Sequence, residues 1–230
     1  MKPAAVLFDA GGTLVLQDPT SLAELLHHDV SAELAYEAHY RAMDAYARRR
    51  LDGDEISWAW WQEHYFTGLG YPQPAQGALL TNDGYGLWSA AIPGTALALD
   101  VLRESGVRLA VVSNSDGSVR GSLERAGLLD RFEFVVDSYE VGVAKPEPEI
   151  FHVALRRMDV EPALAWYVGD SIYHDIGGAQ RAGLAVAVLI DPFDLAQEHS
   201  PRIRSVADLP SMIEGSQARG LADQPVRRLS

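Results

Sequence analysis

Polar residues that could carry hydrolytic chemistry follow several short apolar segments of the chain. A carboxylate can act as a nucleophile, a hydroxyl and a lysine can balance the charge that develops during attack, and a second carboxylate can hold a divalent cation. Such chemistry requires a fold that brings these residues together. The groups are Asp9 with Gly11-Gly12-Thr13, the pair Ser113-Asn114, Lys145, and Asp170 followed by Asp175.

The apolar segments themselves predict the strands that position these groups. They are too short and too uniformly apolar for surface helices, which favours buried parallel strands. Helical segments lie between them, and glycine follows three of these segments, at Gly106, Gly127 and Gly183. Because strands and helices alternate, we predict an α/β fold, a Rossmann-like doubly wound parallel sheet. The predicted strands are Ala4–Phe8, Arg108–Val112, Phe134–Val136, Ala165–Val168 and Ala185–Ile190.

One long stretch lacks this alternation and predicts a second, helical unit. Residues 17–88 contain no strand pattern but carry apolar stripes at helical spacing, such as Trp58, Trp61 and Tyr65. We interpret this stripe as the core of a small helical bundle rather than as a ligand box. The sequence therefore predicts a core of residues 1–16 and 89–215, an inserted α-helical cap at 17–88 with a turn at Pro72–Pro74, and a flexible tail at 216–230.

Composition and charge argue against several classes of function. The net charge of −13 and the lack of a basic patch argue against nucleic-acid binding. The chain has no cysteine, which excludes disulfides and thiolate zinc sites. No apolar segment has the roughly 20 residues of a membrane span, and the first apolar run is too short for a signal peptide. We therefore expect a cytoplasmic protein with no membrane partner.

The motifs in this order resemble those of the haloacid dehalogenase superfamily, from about Ala4 to Leu209. The resemblance implies that Asp9 is a nucleophile that forms an aspartyl-phosphate and that Lys145 balances negative charge. It also implies that Gly12, Thr13, Ser113 and Asn114 bind the oxygens of the transferred group. Mg²⁺ would be held by Asp9, the Gly11 carbonyl and Asp170, with Asp175 in support. The implied substrate is a small phosphate ester, and the helical insertion matches the cap of many members.

Gly11 departs from the phosphatase pattern of that family. Phosphatases that resemble this chain carry a second aspartate at this position, where it protonates the leaving oxygen. Loss of a general acid of this kind usually costs about 10²–10⁴ in rate. A histidine of the cap could supply the proton instead, and the candidates are His27, His28, His39 and His64, although each also suits a surface or packing position.

Gly11 also leaves other functions open. A metal-independent 2-haloacid dehalogenase needs no general acid, and Arg41 could bind its substrate carboxylate, but a retained Asp170 favours a cation. A weakly active or non-catalytic phosphate-binding relative is a further alternative. A phosphonoacetaldehyde hydrolase is excluded, because it requires a cap lysine and residues 17–88 contain none. Lys145, one of only two lysines, is expected close to Asp9 and Asp175 and partly exposed to solvent.

Overall fold

A six-stranded parallel sheet forms the centre of the protein. The computed structural model describes residues 2–71 and 87–219. The strand order is β5-β4-β1-β6-β7-β8, and a separate antiparallel ribbon pairs β2 with β3. This arrangement confirms the predicted α/β sheet. The strands are β1 (Ala5–Phe8), β2 (Val15–Gln17), β3 (Trp88–Ala91), β4 (Arg108–Ser113), β5 (Val135–Asp137), β6 (Ala165–Gly169), β7 (Val186–Ile190) and β8 (Arg202–Ile203).

Helices cover both faces of this sheet. All four residues of β1 are fully buried, as expected for a central parallel strand that packs against helices on each side. None of the described helices is both long and apolar enough to cross a bilayer. The helices are α1 (Pro19–Leu26), α2 (Ala32–Leu51), α3 (Trp58–Gly68), α4 (Thr95–Glu104), α5 (Val119–Arg125), α6 (Ser138–Val141), α7 (Pro148–Met158), α8 (Gly177–Arg181) and α9 (Leu209–Arg219).

Glycine ends helices where the sequence predicted it. Gly106, Gly127 and Gly183 have φ values of 84°, 67° and 81°, the left-handed conformation that stops a helix. The helical segment before Gly183 begins with a π-helical turn over Ile172–Ile176, which continues into α8. This wider turn was not expected, because sequence periodicity does not distinguish it from an α-helical one.

Helices α1–α3 form a helical unit with its own apolar cluster. The ribbon of β2 and β3 joins this unit to the sheet, and the predicted boundaries at 16/17 and 88/89 fall within its two strands. Neither strand of the ribbon was predicted, because Gln17 and Ser89 interrupt the uniformly apolar runs that marked the buried strands. The predicted turn at Pro72–Pro74 lies outside the described residues.

The boundary predicted for the flexible tail, at 215/216, falls near the end of helix α9. Helix α9 continues to Arg219, and Ser216 is buried and donates a hydrogen bond to the Ile213 carbonyl. The boundary predicted at residue 215 therefore lies within a helix. Residues 220–230 are outside the described part of the chain.

Helix α2 fixes the helical unit over the carboxyl ends of the strands. The Tyr40 hydroxyl donates a 2.6 Å hydrogen bond to the Gly12 carbonyl, in the loop after β1. Arg48 donates through Nη2 to the Leu195 carbonyl at 2.8 Å, in the loop after β7. Phe193 of that same loop packs against the ring of Tyr40. The helical unit is thus held against two strand-end loops of the sheet.

Asp191 organises the second of these loops and provides a test of its stability. Its buried carboxylate accepts hydrogen bonds from the amides of Leu195 and Ala196 and pairs with Arg202 at 2.8 Å. We predict that Asp191→Asn lowers the free energy of unfolding by about 2 kcal/mol, because an amide cannot accept all three hydrogen bonds. Urea unfolding monitored by circular dichroism would measure this loss.

Asp194 offers a matched control for that substitution. It pairs with the same Arg202 at 3.0 Å, but its side chain is 65% exposed. Asp194→Asn is therefore expected to change stability by no more than about 0.5 kcal/mol. Equal losses in the two variants would contradict the assigned role of Asp191.

Candidate active site

Asp9 occupies the centre of the strand-end edge, directly after β1. Its amide donates a hydrogen bond to the Val168 carbonyl, so its backbone continues the pairing of β1 with β6. Its Oδ1 accepts a hydrogen bond from the Ser113 hydroxyl at 3.0 Å and lies 2.7 Å from the Lys145 Nζ. No described residue is hydrogen-bonded to Oδ2. One oxygen is therefore fixed and the other is available for reaction.

Lys145 is buried between two carboxylates. Its Nζ lies 2.6 Å from Asp175 Oδ1 as well as 2.7 Å from Asp9, and it donates to the Tyr167 hydroxyl at 3.0 Å. Only 3% of its side chain is exposed, so the expectation of a partly exposed lysine was wrong. The expected proximity to Asp9 and Asp175 is observed.

Asn114 holds the backbone of Lys145 in place. Its Oδ1 accepts a 2.7 Å hydrogen bond from the Lys145 amide, and its Nδ2 donates at 2.8 Å to the Lys145 carbonyl. Asn114 was predicted to bind substrate oxygens, but both polar atoms of its side chain are hydrogen-bonded to the backbone of Lys145. Asn114 still lines the cavity above Asp9.

Asp170 and Asp175 differ in how their oxygens are occupied. Asp175 has both oxygens hydrogen-bonded, Oδ1 by Lys145 and Tyr167 and Oδ2 by the Ser171 amide at 2.9 Å. Asp170 is bonded at Oδ2 to His39 Nε2, at 2.7 Å, whereas its buried Oδ1 has no partner among the described residues. An unpaired buried carboxylate oxygen is costly, so Oδ1 of Asp170 is suited to bind a ligand.

The three aspartates could hold a divalent metal ion. Each of Asp9, Asp170 and Asp175 places one carboxylate oxygen within 4.8 Å of the other two. Because Asp175 is already saturated with hydrogen bonds, Asp9 and Asp170 are the ligands that remain available. A site of carboxylate oxygens suits a hard cation. The observation that supports a cation at this site is the buried Oδ1 of Asp170, which has no hydrogen-bond partner among the described residues.

The ionisation of these groups reflects an excess of buried negative charge. The pKa of Asp9 is raised to about 7, chiefly by burial and also by the charges of Asp175 and Asp170, against the opposing effect of Lys145. Burial also raises the pKa of Asp170, against the effect of His39. Burial disfavours the ammonium form of Lys145, but Asp175 and Asp9 outweigh it and raise its pKa. A bound cation would compensate the remaining negative charge.

Gly12 allows this cluster to form under the loop after β1. Its φ of 73° favours glycine, and a Cβ atom there would lie 2.1 Å from Asp170 Oδ2 and 2.2 Å from His39 Nε2. The neighbouring Thr13 is fully buried, and its hydroxyl has no hydrogen-bond partner among the described residues. Both residues were predicted to bind substrate, and neither lines the described surface of the main cavity.

Gly11 faces an aromatic ring where the second aspartate of the phosphatase pattern would project. A Cβ atom on Gly11 would lie 2.8 Å from the indole of Trp88. Since Gly11 has no left-handed φ, the restriction comes from this ring and not from the backbone. Trp88 was not identified from the sequence, because a tryptophan at a domain boundary gives no signal of its own.

A cavity of about 570 Å³ lies above Asp9, between the sheet edge and the helical unit. Among the four candidate histidines, only His39 lines it; His27, His28 and His64 are exposed. Arg41, which could bind the substrate carboxylate of a dehalogenase, pairs with Glu37 at 2.7 Å on the outer surface of α2. It does not line this cavity, and no arginine occurs among the described residues that do.

Two further residues of the site were missed by sequence reasoning. Tyr167, in the middle of β6, accepts a hydrogen bond from Lys145, and its hydroxyl lies 3.0 Å from both the Val112 carbonyl and Asp175 Oδ1, the two acceptors for its one proton. His174 stacks on Tyr46 at 5.6 Å, and burial lowers its pKa to about 4, so it is uncharged near neutral pH. An interior strand residue and a helical histidine both resemble packing residues, so neither pattern signals a site.

Comparisons with known proteins place this site in a family context. Residues 3–183 match the haloacid dehalogenase-like hydrolase family. A mouse protein, "Haloacid dehalogenase-like hydrolase domain-containing protein 3", is 34% identical over 165 residues, or 68% of this chain. The aligned part covers 66% of the mouse protein, just under two thirds of its length.

A second relative and a solved structure cover more of the chain. The ribulose-1,5-bisphosphate 5-phosphatase of Halopiger xanaduensis is 32% identical over 206 residues, which is 82% of this chain and 84% of that protein. The crystal structure of a phosphatase of this superfamily from Thermococcus onnurineus superposes with a TM-score of 0.63 at 28% identity. It covers 94% of this chain and 99% of its own.

The burial of Lys145 generates a stability prediction. Replacing it with methionine leaves Asp9 and Asp175 without their shared cation, so we expect Lys145→Met to lower the free energy of unfolding by about 3 kcal/mol. Lys2, the other lysine of the chain, is exposed and donates to the Ser105 carbonyl. Lys2→Met is the matched control and should change stability by no more than about 0.5 kcal/mol. Equal urea midpoints for the two variants would contradict the buried charge network.

Proposed function

The chain belongs to the haloacid dehalogenase-like hydrolases, and we propose that it is a Mg²⁺-dependent phosphatase that acts on small phosphate monoesters and acyl phosphates through an aspartyl-phosphate at Asp9. The observation that carries this proposal is Asp170, a second buried carboxylate with an orphaned oxygen close to Asp9. The ribulose-1,5-bisphosphate 5-phosphatase of Halopiger xanaduensis, which is similar over most of the chain, supports phosphate chemistry.

In this proposal, Asp9 and Asp170 would hold Mg²⁺ together with the Gly11 carbonyl. When bound, the ion withdraws negative charge from the phosphoryl oxygens and reduces their repulsion of an attacking carboxylate. Asp175 serves as a support, because its hydrogen bonds with Lys145, Tyr167 and the Ser171 amide leave it no free oxygen. His39 fixes the orientation of Asp170 through the bond to Oδ2.

The chain's own residues then account for two chemical steps. A carboxylate oxygen of Asp9 attacks phosphorus, the bond from phosphorus to the leaving oxygen breaks, and the leaving group departs with the electron pair. Water then attacks the phosphorus of the aspartyl-phosphate, which releases phosphate and regenerates the carboxylate. Lys145 and Ser113 hold Oδ1 throughout and stabilise the negative charge that develops beside it.

The leaving group must depart without help from a carboxylic acid at position 11. Trp88 occupies the space that such a side chain would need. His39 is the one candidate histidine of the described cavity, and its Nε2 is bonded to Asp170, so we assign it a positioning role. We therefore propose a preference for aryl and acyl phosphates, whose leaving groups are stable as anions, over sugar or alkyl phosphates.

A metal-independent dehalogenase is a weaker alternative. No arginine is available in the described cavity to bind a haloacid carboxylate, and Asp170 would repel that carboxylate in the absence of a cation. A non-catalytic phosphate-binding protein would keep the same cradle without turnover. Direct assays separate the three functions.

We predict that hydrolysis of 4-nitrophenyl phosphate requires both Mg²⁺ and the Asp9 carboxylate. Asp9→Asn should reduce turnover at least about 1,000-fold, because an amide is a poor nucleophile. Excess EDTA should abolish activity and added Mg²⁺ should restore it. Chelator-resistant chloride release from 2-chloropropionate would favour the dehalogenase, and phosphate binding without any turnover would favour the non-catalytic protein.

A second prediction concerns a carboxylic acid restored at position 11, in a variant where the ring of Trp88 has been removed to make room for it. Gly11→Asp alone would collide with Trp88, so we compare the double variant Gly11→Asp, Trp88→Ala with Trp88→Ala. The double variant should hydrolyse glycerol 3-phosphate about 10-fold faster or more, because the new carboxyl can protonate an alkoxide.

The matched control for this gain is Gly11→Asn, Trp88→Ala, which has the same shape but no acid. Circular dichroism and calorimetric Mg²⁺ titration establish that each variant is folded and binds the ion. Equal rates for the aspartate and asparagine variants would show that leaving-group protonation does not limit this site.

A further inference from the structure

Helix α3 lines the catalytic cavity with a stack of aromatic rings. Trp58 and Trp61 are parallel, with ring centroids 4.4 Å apart, and Tyr65 continues the stack at 5.1 Å. Trp88 lies 6.2 Å from Trp61 at an interplanar angle of 28° and brings the stack to the loop that contains Gly11. All four rings line the cavity that contains Asp9. The stripe predicted to be bundle core is therefore also a cavity wall.

Three buried polar atoms of the cavity lining have no hydrogen-bond partner within the described part of the chain. They are Trp61 Nε1, the Tyr65 hydroxyl and Gln17 Oε1, on side chains that are at least nine-tenths buried. All three residues line the same cavity. Because a buried polar group without a partner costs about 1–3 kcal/mol, the set points to a ligand that offers both a hydrogen-bond donor and an acceptor.

Charge restricts what that ligand can be. Among the described residues of the cavity, Lys145 is the one lysine or arginine, and it is already paired with Asp9 and Asp175. A second phosphate or carboxylate on the substrate would therefore meet no cation beyond the site at Asp9 and Asp170. The part of the substrate that faces α3 must be uncharged.

We propose that the leaving group of the substrate is a planar, uncharged aromatic or heteroaromatic ring with hydrogen-bonding substituents, which stacks against the rings of α3 and Trp88. This inference rests on the proposed function, since it specifies the alcohol of the phosphate monoester. Offset or edge-to-face ring pairs stabilise binding beyond the burial of area alone. An aromatic oxyanion also departs readily without a proton, which agrees with glycine at position 11.

The test separates ring recognition from leaving-group reactivity. Benzyl phosphate and ethyl phosphate both release an alkoxide, but only the first has a ring. We expect the KM of benzyl phosphate to be at least about 10-fold lower than that of ethyl phosphate. Dissociation constants for the non-hydrolysable benzylphosphonate and ethylphosphonate, from tryptophan fluorescence, should differ in the same direction and do not depend on turnover.

Variants on α3 locate the ring site. Trp58 is 43% exposed, so Trp58→Ala should fold, and it should reduce the ratio of the ethyl to benzyl dissociation constants about threefold or more. Trp60 is the matched control, since it stacks on His64 and does not line the described cavity. Trp60→Ala should keep the wild-type ratio.

The outcomes distinguish this inference from the proposed function. Acetyl phosphate has no ring, so its Asp9-dependent hydrolysis reports the phosphatase activity alone. Hydrolysis of acetyl phosphate with equal KM values for benzyl and ethyl phosphate would overturn the ring site and leave the phosphatase intact. Equal effects of Trp58→Ala and Trp60→Ala would also overturn it. Ring-selective phosphonate binding without hydrolysis of any phosphate would overturn the proposed function instead.

Discussion

The ion pairs of Lys145 with Asp9 and Asp175 are the constraint on which the rest of the site depends. Two ionised carboxylates buried side by side repel one another unless positive charge lies between them, and Lys145 supplies that charge at 2.7 and 2.6 Å. Tyr167 and Asn114 serve this arrangement, one through its hydroxyl and the other through the lysine backbone. With the third carboxylate, Asp170, the buried negative charge exceeds what one lysine can neutralise. This excess of negative charge is the physical basis for proposing a metal ion.

The helical unit completes the site from the other side. His39 contacts Asp170, and Tyr40 contacts the Gly12 carbonyl. Helix α2 is therefore hydrogen-bonded to two of the loops that contain the proposed catalytic residues. Glycine at position 12 is a condition for this contact, because any side chain there would overlap both His39 and Asp170. Within the helical unit, α2 therefore orients the proposed metal ligand, and α3 carries the rings proposed to recognise the substrate. Trp88, from the ribbon that joins the two units, brings the aromatic wall to Gly11.

The sequence was sufficient to predict the core of the site because topology determines it. Parallel strands end at one edge, so Asp9, Ser113 and Asp170 had to meet once β1, β4 and β6 were recognised. Lys145 lies outside a strand, and its position near Asp9 and Asp175 was implied by resemblance alone. Its burial was not predicted, because burial depends on how the surrounding loops close over it.

The contributions of His39, Tyr167 and Trp88 could not be assigned in the same way. Each comes from a helix or strand where a residue of its type ordinarily packs, and each acquires its role through a contact distant in sequence. His39 and Asp170, for instance, are separated by 131 positions. Local sequence patterns do not predict such pairs, because the pairs depend on how the helical unit packs against the sheet. The same reasoning explains why an aromatic stripe on α3 predicted packing but not a cavity wall.

The measurement that tests the nucleophile most directly is mass spectrometry of the protein after acid quenching during turnover of acetyl phosphate with Mg²⁺. Acid preserves an acyl phosphate long enough for peptide mapping. We expect one phosphoryl group on the peptide that contains Asp9, and none when the ion is chelated or in Asp9→Asn. Turnover with the phosphoryl group on another residue, or with Asp9 never modified under rapid quenching, would contradict the assignment of Asp9 as the nucleophile.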